Sequence, residues 1–255
     1  MLLALDMGNT NIKIGVFKGD KLLMESRLAT NYNKTEDQYA IQLLDILRLY
    51  GVDNKGFEGA VMSSVVPPLT NTISRAIEKV TGVTPMIVGP GIKTGIDIRI
   101  DNPAQLGADL LVGAVAAVAQ YGAPCIIWDL GTATTVSVVD DERHFRGGAI
   151  MAGVGVSIEA LVSRASQLPK ISLEALRYVV GTNTIASMQS GAVYGTASMI
   201  DGMSDRITEE LGCEAAVVIT GGLGREIASC CRRKVIYDDN LLLNGLRIVY
   251  NKNKK

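Results

Sequence analysis

Two short runs in the 255-residue chain carry residue types suited to phosphate chemistry: Asp6-Met7-Gly8-Asn9-Thr10 and Asp129-Leu130-Gly131-Thr132-Ala133. In each, an apolar run, Leu2–Leu5 or Cys125–Trp128, delivers an aspartate to the end of a strand. The glycine lets backbone N–H groups turn toward a ligand, and amide or hydroxyl side chains add donors. Such a nest accepts phosphate oxygens. The carboxylate is poorly suited to touch phosphate and well suited to hold a cation or its water shell beside it. One such turn is equally an Asx-type β-turn. Two, at an offset of 123 residues, form a stronger pattern: loops that face each other across a cleft and clamp a polyphosphate.

A third feature follows the apolar run Ala215–Ile219. Thr220-Gly221-Gly222 turns into a helix from about Leu223, which lets a ligand lie against backbone at a helix N-terminus, the natural seat for a nucleoside. A fourth is Asp109. With Gln105 and Gly113 it falls at a spacing of four, on one face of a helix otherwise rich in Leu, Val and Ala. It is either a general base or part of a solvated stripe.

The elements that position these residues read as α/β. Leu2–Leu5, Ile12–Val16 and Leu22–Leu28 form a three-stranded antiparallel meander turned at Lys18–Lys21. A helix over 35–50, a strand over 59–66, a helix over 69–80 and a strand over 86–88 follow. A glycine-rich loop runs through Gly95, and a helix over 101–121 starts at Asp101-Asn102-Pro103. Then the pattern restarts: strands at 125–128, 136–138 and 145–151 repeat the opening meander. The remainder reads as helices over 154–163, 184–195, 197–211 and 223–231, interrupted by the strand 215–219, with a frayed tail at 252–255. An internal duplication accounts for this, with halves at 1–118 and 119–255.

Composition excludes several classes. Hydrophobic residues are 47% and charged residues 20%, which marks a folded globular chain. Lys and Arg number 25 against 26 Asp and Glu, so the footprint of a nucleic-acid or anionic-membrane binder is missing. Glycine is high, 27 residues against a usual share of ~7%. The N-terminus lacks a basic region and a cleavage site, and no apolar stretch is long enough to span a bilayer. A cytoplasmic protein is expected, with Cys125, Cys213, Cys230 and Cys231 as buried free thiols. The single histidine, His144, lies in the charged run 140–144 and reads as a solvated turn residue.

Two halves with Asp-x-Gly loops and a late Thr-Gly-Gly resemble the acetate and sugar kinase, Hsp70 and actin superfamily. The longer run is similar to the type III pantothenate kinases: Asp6–Thr10 with Lys13, Asn102-Pro103, Gly107-Ala108-Asp109, Asp129–Thr135, Gly147–Ile150, Leu168-Pro169, Gly181–Thr184 and Thr220–Gly222. The resemblance implies two duplicated ribonuclease H-like halves, each a mixed five-stranded sheet with flanking helices. It implies ATP-dependent phosphorylation of pantothenate at its terminal hydroxyl, the first step toward coenzyme A. It also implies a homodimer with its substrate pocket at the subunit interface, and dependence on potassium or ammonium. By position, Asp6, Met7, Gly8, Asn9, Thr10, Asn11, Ile12, Lys13 and Thr132 meet the ATP phosphates, and Gly221 and Gly222 seat the nucleoside. Asp129 holds the monovalent cation, and Asp6 stands near the magnesium that bridges the phosphates. Gly107, Ala108, Asp109, Leu110 and Thr184 line the pantothenate site, with Asp109 as the base.

Three positions depart from the family pattern. Leu110 stands where arginine is usual, Ile100 where tyrosine is common, and Ala152 where proline is usual. An anionic acceptor wants a cationic partner, which Arg99, Arg164 or backbone donors would supply. The alternatives are a kinase for another small hydroxylated acid or sugar, and a non-catalytic nucleotide-binding regulator of the same fold.

Overall fold

The computed structural model describes residues 1–173 and 178–254. The chain divides into two compact units. The first comprises Met1–Gly95, Ala104–Ala116 and Leu242–Lys255, the second Ile96–Pro103 and Ala117–Leu241.

In the first unit, β1 (Leu2–Met7), β2 (Asn11–Lys18) and β3 (Lys21–Ala29) form the expected meander. The helix α1 (Glu36–Leu49) is opened by a capping box between Thr35 and Gln38. Next come β4 (Gly59–Ser64), α2 (Pro67–Thr81) and β5 (Met86–Ile87). The sequence places the start of α2 at Leu69, but the helix already includes Pro67 and Pro68, whose fixed φ suits its first turn. The sheet order is β3-β2-β1-β4-β5, with β4 parallel to β1. Leu3, Leu5, Ile12 and Ile14 pack with Leu43, Leu47, Ile73 and Ile77 in one apolar core.

The glycine-rich loop leads into a short strand the sequence did not reveal, β6 (Asp97–Ile98), in the second unit. The expected helix over 101–121 is broken. A 3-10 turn covers Pro103–Gln105, and α3 (Ala108–Tyr121) begins only after Gly107. Gln105 therefore lies outside α3 and does not share a helical face with Asp109 and Gly113. At the start of α3 the Asp109 carboxylate folds back, and a Cβ at Gly107 would lie 2.5 Å from its Oδ1.

The second unit repeats the meander in β7 (Cys125–Leu130), β8 (Ala133–Val139) and β9 (His144–Ala152). It continues with α4 (Val154–Arg164), α5 (Thr184–Leu211), β10 (Ala216–Thr220), α6 (Gly224–Ala228) and β11 (Ile236–Tyr237). The order β11-β10-β7-β8-β9-β6 reproduces the five-strand order of the first sheet and adds β6 beside β9. The two helices expected at 184–195 and 197–211 are one 28-residue helix, which runs through Gly195 and stops at left-handed Gly212. The expected helix over 223–231 is shorter, five residues.

The last helix, α7 (Leu241–Asn253), was not read from the sequence. Its Gly245 is needed against α3, where a Cβ would lie 2.1 Å from the Val112 carbonyl oxygen.

Two further expectations fail. His144 is not a solvated turn residue: it opens β9, its backbone N–H donates to Asp140 Oδ1 at 2.8 Å, and its Nδ1 lies 3.1 Å from Asp140 Oδ2. The charged run that suggested a turn closes around it. The cysteines are free, but only Cys125 is buried, because it alone lies inside a central strand; Cys213 is exposed. Among the described residues, no helix is long and apolar enough to cross a membrane.

Candidate active site

The duplication brings each turn to the same place in its sheet. β1 and β7 share one burial pattern, with only the aspartate partly open within each strand. Asp6 pairs with Lys13 on β2 and with Ser63 on β4; Asp129 pairs with Thr135 on β8 and with Thr220 on β10. In both repeats the second and third strands shift register at matching points, between Val16 and Phe17 and between Val138 and Val139. The second turn is one residue shorter. Gly8 N donates to Asn11 O at 3.0 Å, and Gly131 N donates to Ala133 O at 3.1 Å.

In the first unit the turn offers Asn9, Thr10 and Asn11 to solvent, with Gly8 half-buried. Met7 and Ile12 lie in the core at 0% and 1% exposure, so only their backbone groups are available to a ligand. Lys13 pairs with Glu25 at 3.2 Å. Asp6 Oδ1 accepts a hydrogen bond from Ser63 Oγ at 2.7 Å. Burial pushes the Asp6 carboxyl up to about 6; the Ser63 bond opposes this, the Asp109 charge adds to it, and Lys13 lowers it.

Asp109 lies in the first turn of α3. Its Oδ1 accepts from Leu110 N at 2.8 Å. Burial raises its pKa above the ordinary range, and the backbone N–H groups of Leu110 and Asp109 hold part of that rise back. The first unit therefore contains two carboxylates, Asp6 and Asp109, both shifted toward holding a proton, with the Asp109 charge adding to the shift of Asp6. Carboxylates with raised proton affinity are candidates for proton transfer.

In the second unit, Asp129 is half-buried at the end of β7 and Thr132 is exposed. Gly221, at φ +97°, lies against the Leu130 backbone, which brings the Thr220–Gly222 turn beside the Asp129 turn. Thr184 is the exposed first residue of α5, next to the Asn183 cap, whose Oδ1 accepts from Ala186 N at 2.9 Å. Of the cations considered for an anionic acceptor, Arg99 is engaged by Asp97 at 2.6 Å.

Sequence reasoning missed Ser63. A signal existed: the apolar run Gly59–Met62 ends in a hydroxyl residue, as Ala216–Ile219 ends in Thr220. Among the described residues, no cluster of three or more His, Cys, Asp and Glu is arranged to hold a metal. Single carboxylates at Asp6 and Asp129 fit hard cations that take their other oxygens from phosphate, water and backbone carbonyls.

Comparison with known proteins gives the family. The family model described as type III pantothenate kinase matches residues 2–206. A type III pantothenate kinase of Halalkalibacterium halodurans is 44% identical over 253 residues, covering 99% of this chain and 100% of that one. Among solved structures, (R)-2-hydroxyglutaryl-CoA dehydratase component A of Acidaminococcus fermentans has a TM-score of 0.55 at 15% identity, covering 97% of this chain and 95% of that one. The ROK hexokinase of Thermus thermophilus has a TM-score of 0.52 at 17% identity, covering 97% of each chain. These two structures share the fold of this chain.

Proposed function

The chain belongs to the type III pantothenate kinase family, and from that membership we propose that it moves the terminal phosphoryl group of ATP onto the terminal hydroxyl of pantothenate, opening the route to coenzyme A. The observation that carries the residue assignment is that Asp109, half-buried in the first turn of α3 with Oδ1 held by Leu110 N, acts electrostatically on Asp6 within the same unit.

Asp109 is the base. As the acceptor oxygen bonds to the γ-phosphorus and the bond to the ADP oxygen breaks, the hydroxyl proton passes to the Asp109 carboxylate. Positioning and charge stabilisation supply most of the acceleration in such transfers, so the base needs only a place to put the proton. The turn Asp6–Lys13, through the donors that lie outside its sheet ladder at exposed Asn9 and Thr10, and Thr132 hold phosphate oxygens, and Gly221 and Gly222 seat the nucleoside. Gly107, Ala108, Leu110 and Thr184 line the acceptor site. Magnesium near Asp6 and a monovalent cation at Asp129, potassium or ammonium, neutralise phosphate charge when bound.

The pantothenate site of this reading lies at the interface of a homodimer. Exposed apolar side chains on the second unit support that assembly: Ile150, Leu161, Val179, Val180 and Ile185 are 48–80% exposed, a cost that a partner surface relieves. Light scattering that returns the 27.1 kDa monomer mass would contradict it. The repeats 1–118 and 119–255 belong to the same reading.

The function is tested by incubating the protein with ATP, magnesium, potassium and a panel of hydroxylated acids and sugars, with products identified by mass. Phosphopantothenate is the expected product. A different phosphorylated alcohol, or nucleotide binding without any product, would overturn the reading.

A further inference from the structure

The two equivalent turns are not held alike. Asn11 pairs with Ala29, and Ala133 pairs with Ala152. Thr30 and Gly153 therefore occupy the same position, one residue past the third strand of each repeat. Both donate a backbone N–H into their turn: Thr30 N to Thr10 O at 2.9 Å, and Gly153 N to Thr132 O at 3.1 Å. Only Thr30 adds a side chain, with Oγ1 donating to the Gly8 carbonyl at 2.7 Å. At Gly153 there is no room for one. A Cβ would lie 2.2 Å from Thr132 O and 2.4 Å from Gly131 O, the counterpart of Gly8 O.

The hydroxyl has a directional consequence. A trans peptide is planar, so the Gly8 carbonyl and the Asn9 N–H point to opposite sides. Tying Gly8 O to Thr30 turns a carbonyl lone pair away from any anion on the far side and presents the Asn9 N–H there. The bracing segment is itself fixed. Asn31 N donates to Tyr39 Oη at 2.8 Å, Tyr39 Oη donates to Asn31 O at 2.9 Å, and Tyr39 is buried in α1. Tyr32 Oη adds a 3.4 Å contact to Asn9 Oδ1.

We propose that Thr30 is a positioning residue for phosphoryl transfer: its hydroxyl orients the Gly8–Asn9 peptide so that the first turn presents N–H, and not C=O, to the nucleotide phosphates. The role rests on the kinase reading above. It explains why the turn that shares a unit with Asp6 and Asp109 carries a hydroxyl at this position, where its repeat has Gly153.

The test compares Thr30→Val, which keeps the branched shape and loses the hydroxyl, with Thr30→Ser, which keeps the hydroxyl. In the free protein, the Asn9 amide resonance moves in Thr30→Val and returns to the parent position in Thr30→Ser. In turnover, Thr30→Val raises the KM for ATP by about tenfold and leaves the KM for pantothenate within about twofold, while Thr30→Ser stays within about threefold of the parent in both. Equal damage by both variants, or an unchanged KM for ATP in Thr30→Val, overturns the proposal. Normal parent turnover with an unmoved Asn9 resonance overturns the role of Thr30 alone. An Asn9 shift in a protein that phosphorylates no pantothenate overturns the kinase reading, and this role with it.

Discussion

Ser63 donates its hydroxyl to Asp6 Oδ1 at 2.7 Å across 57 residues of sequence. The two sit side by side because β1 and β4 run parallel in matched register. This bond opposes the burial that drives Asp6 toward its neutral form.

Asp6 makes the free chain less stable as pH rises. Its folded pKa of about 6 lies above its ordinary value of 3.8, so the folded state holds the proton more tightly than the unfolded state does. The contribution of Asp6 to stability is therefore fully present below about pH 4 and is lost as pH rises through about 6. Asp6→Asn removes the buried charge while keeping an oxygen for Ser63. Without metal or nucleotide, the variant should be more stable than the parent by about 1–3 kcal/mol near pH 8 and equal to it near pH 4. Urea unfolding at the two pH values checks this.

Asp109→Asn keeps shape and loses the proton acceptor. Turnover of pantothenate should fall by roughly 10²–10⁴-fold. Nucleotide affinity, measured by calorimetry with ADP, should stay within about threefold of the parent. Retained turnover in a coupled assay removes Asp109 from the mechanism.

Trp128 is the only tryptophan and is fully buried, with Nε1 donating to Ser204 Oγ at 3.0 Å. Ser204 is itself buried, on α5. Ser204→Ala strands the indole N–H and should cost about 1–3 kcal/mol. Unfolding followed by Trp128 emission reads the loss as a lower urea midpoint; an unchanged midpoint would mean the N–H finds another partner.

Gly245→Ala places a methyl group where the Val112 carbonyl oxygen lies 2.1 Å from the new Cβ. An exposed helical glycine gains stability on this change. Here α7 must move off α3, and the variant should lose about 2–4 kcal/mol. A rise in melting temperature would contradict the packing of these two helices.

The sequence by itself determined what depends on neighbours along the chain. Alternating side chains set the six meander strands, and Asp-x-Gly after an apolar run set both turns. The repeat at Asp6 and Asp129 pointed to the duplication that the matching register shifts bear out. Family membership was legible in the same motifs. Tertiary structure decided what depends on residues brought together from afar. The helix expected over 101–121 begins only after Gly107, next to the folded-back Asp109 carboxylate, and α7 carries glycine at 245 because the Val112 carbonyl leaves no room for a larger residue. Ser63 and Thr30 looked unremarkable until pairing set them beside Asp6 and Gly8. The coupling of Asp6 to Asp109 belongs in this second group. A carboxylate's proton affinity depends on the water removed from around it and the charges gathered near it, and only the folded chain arranges both.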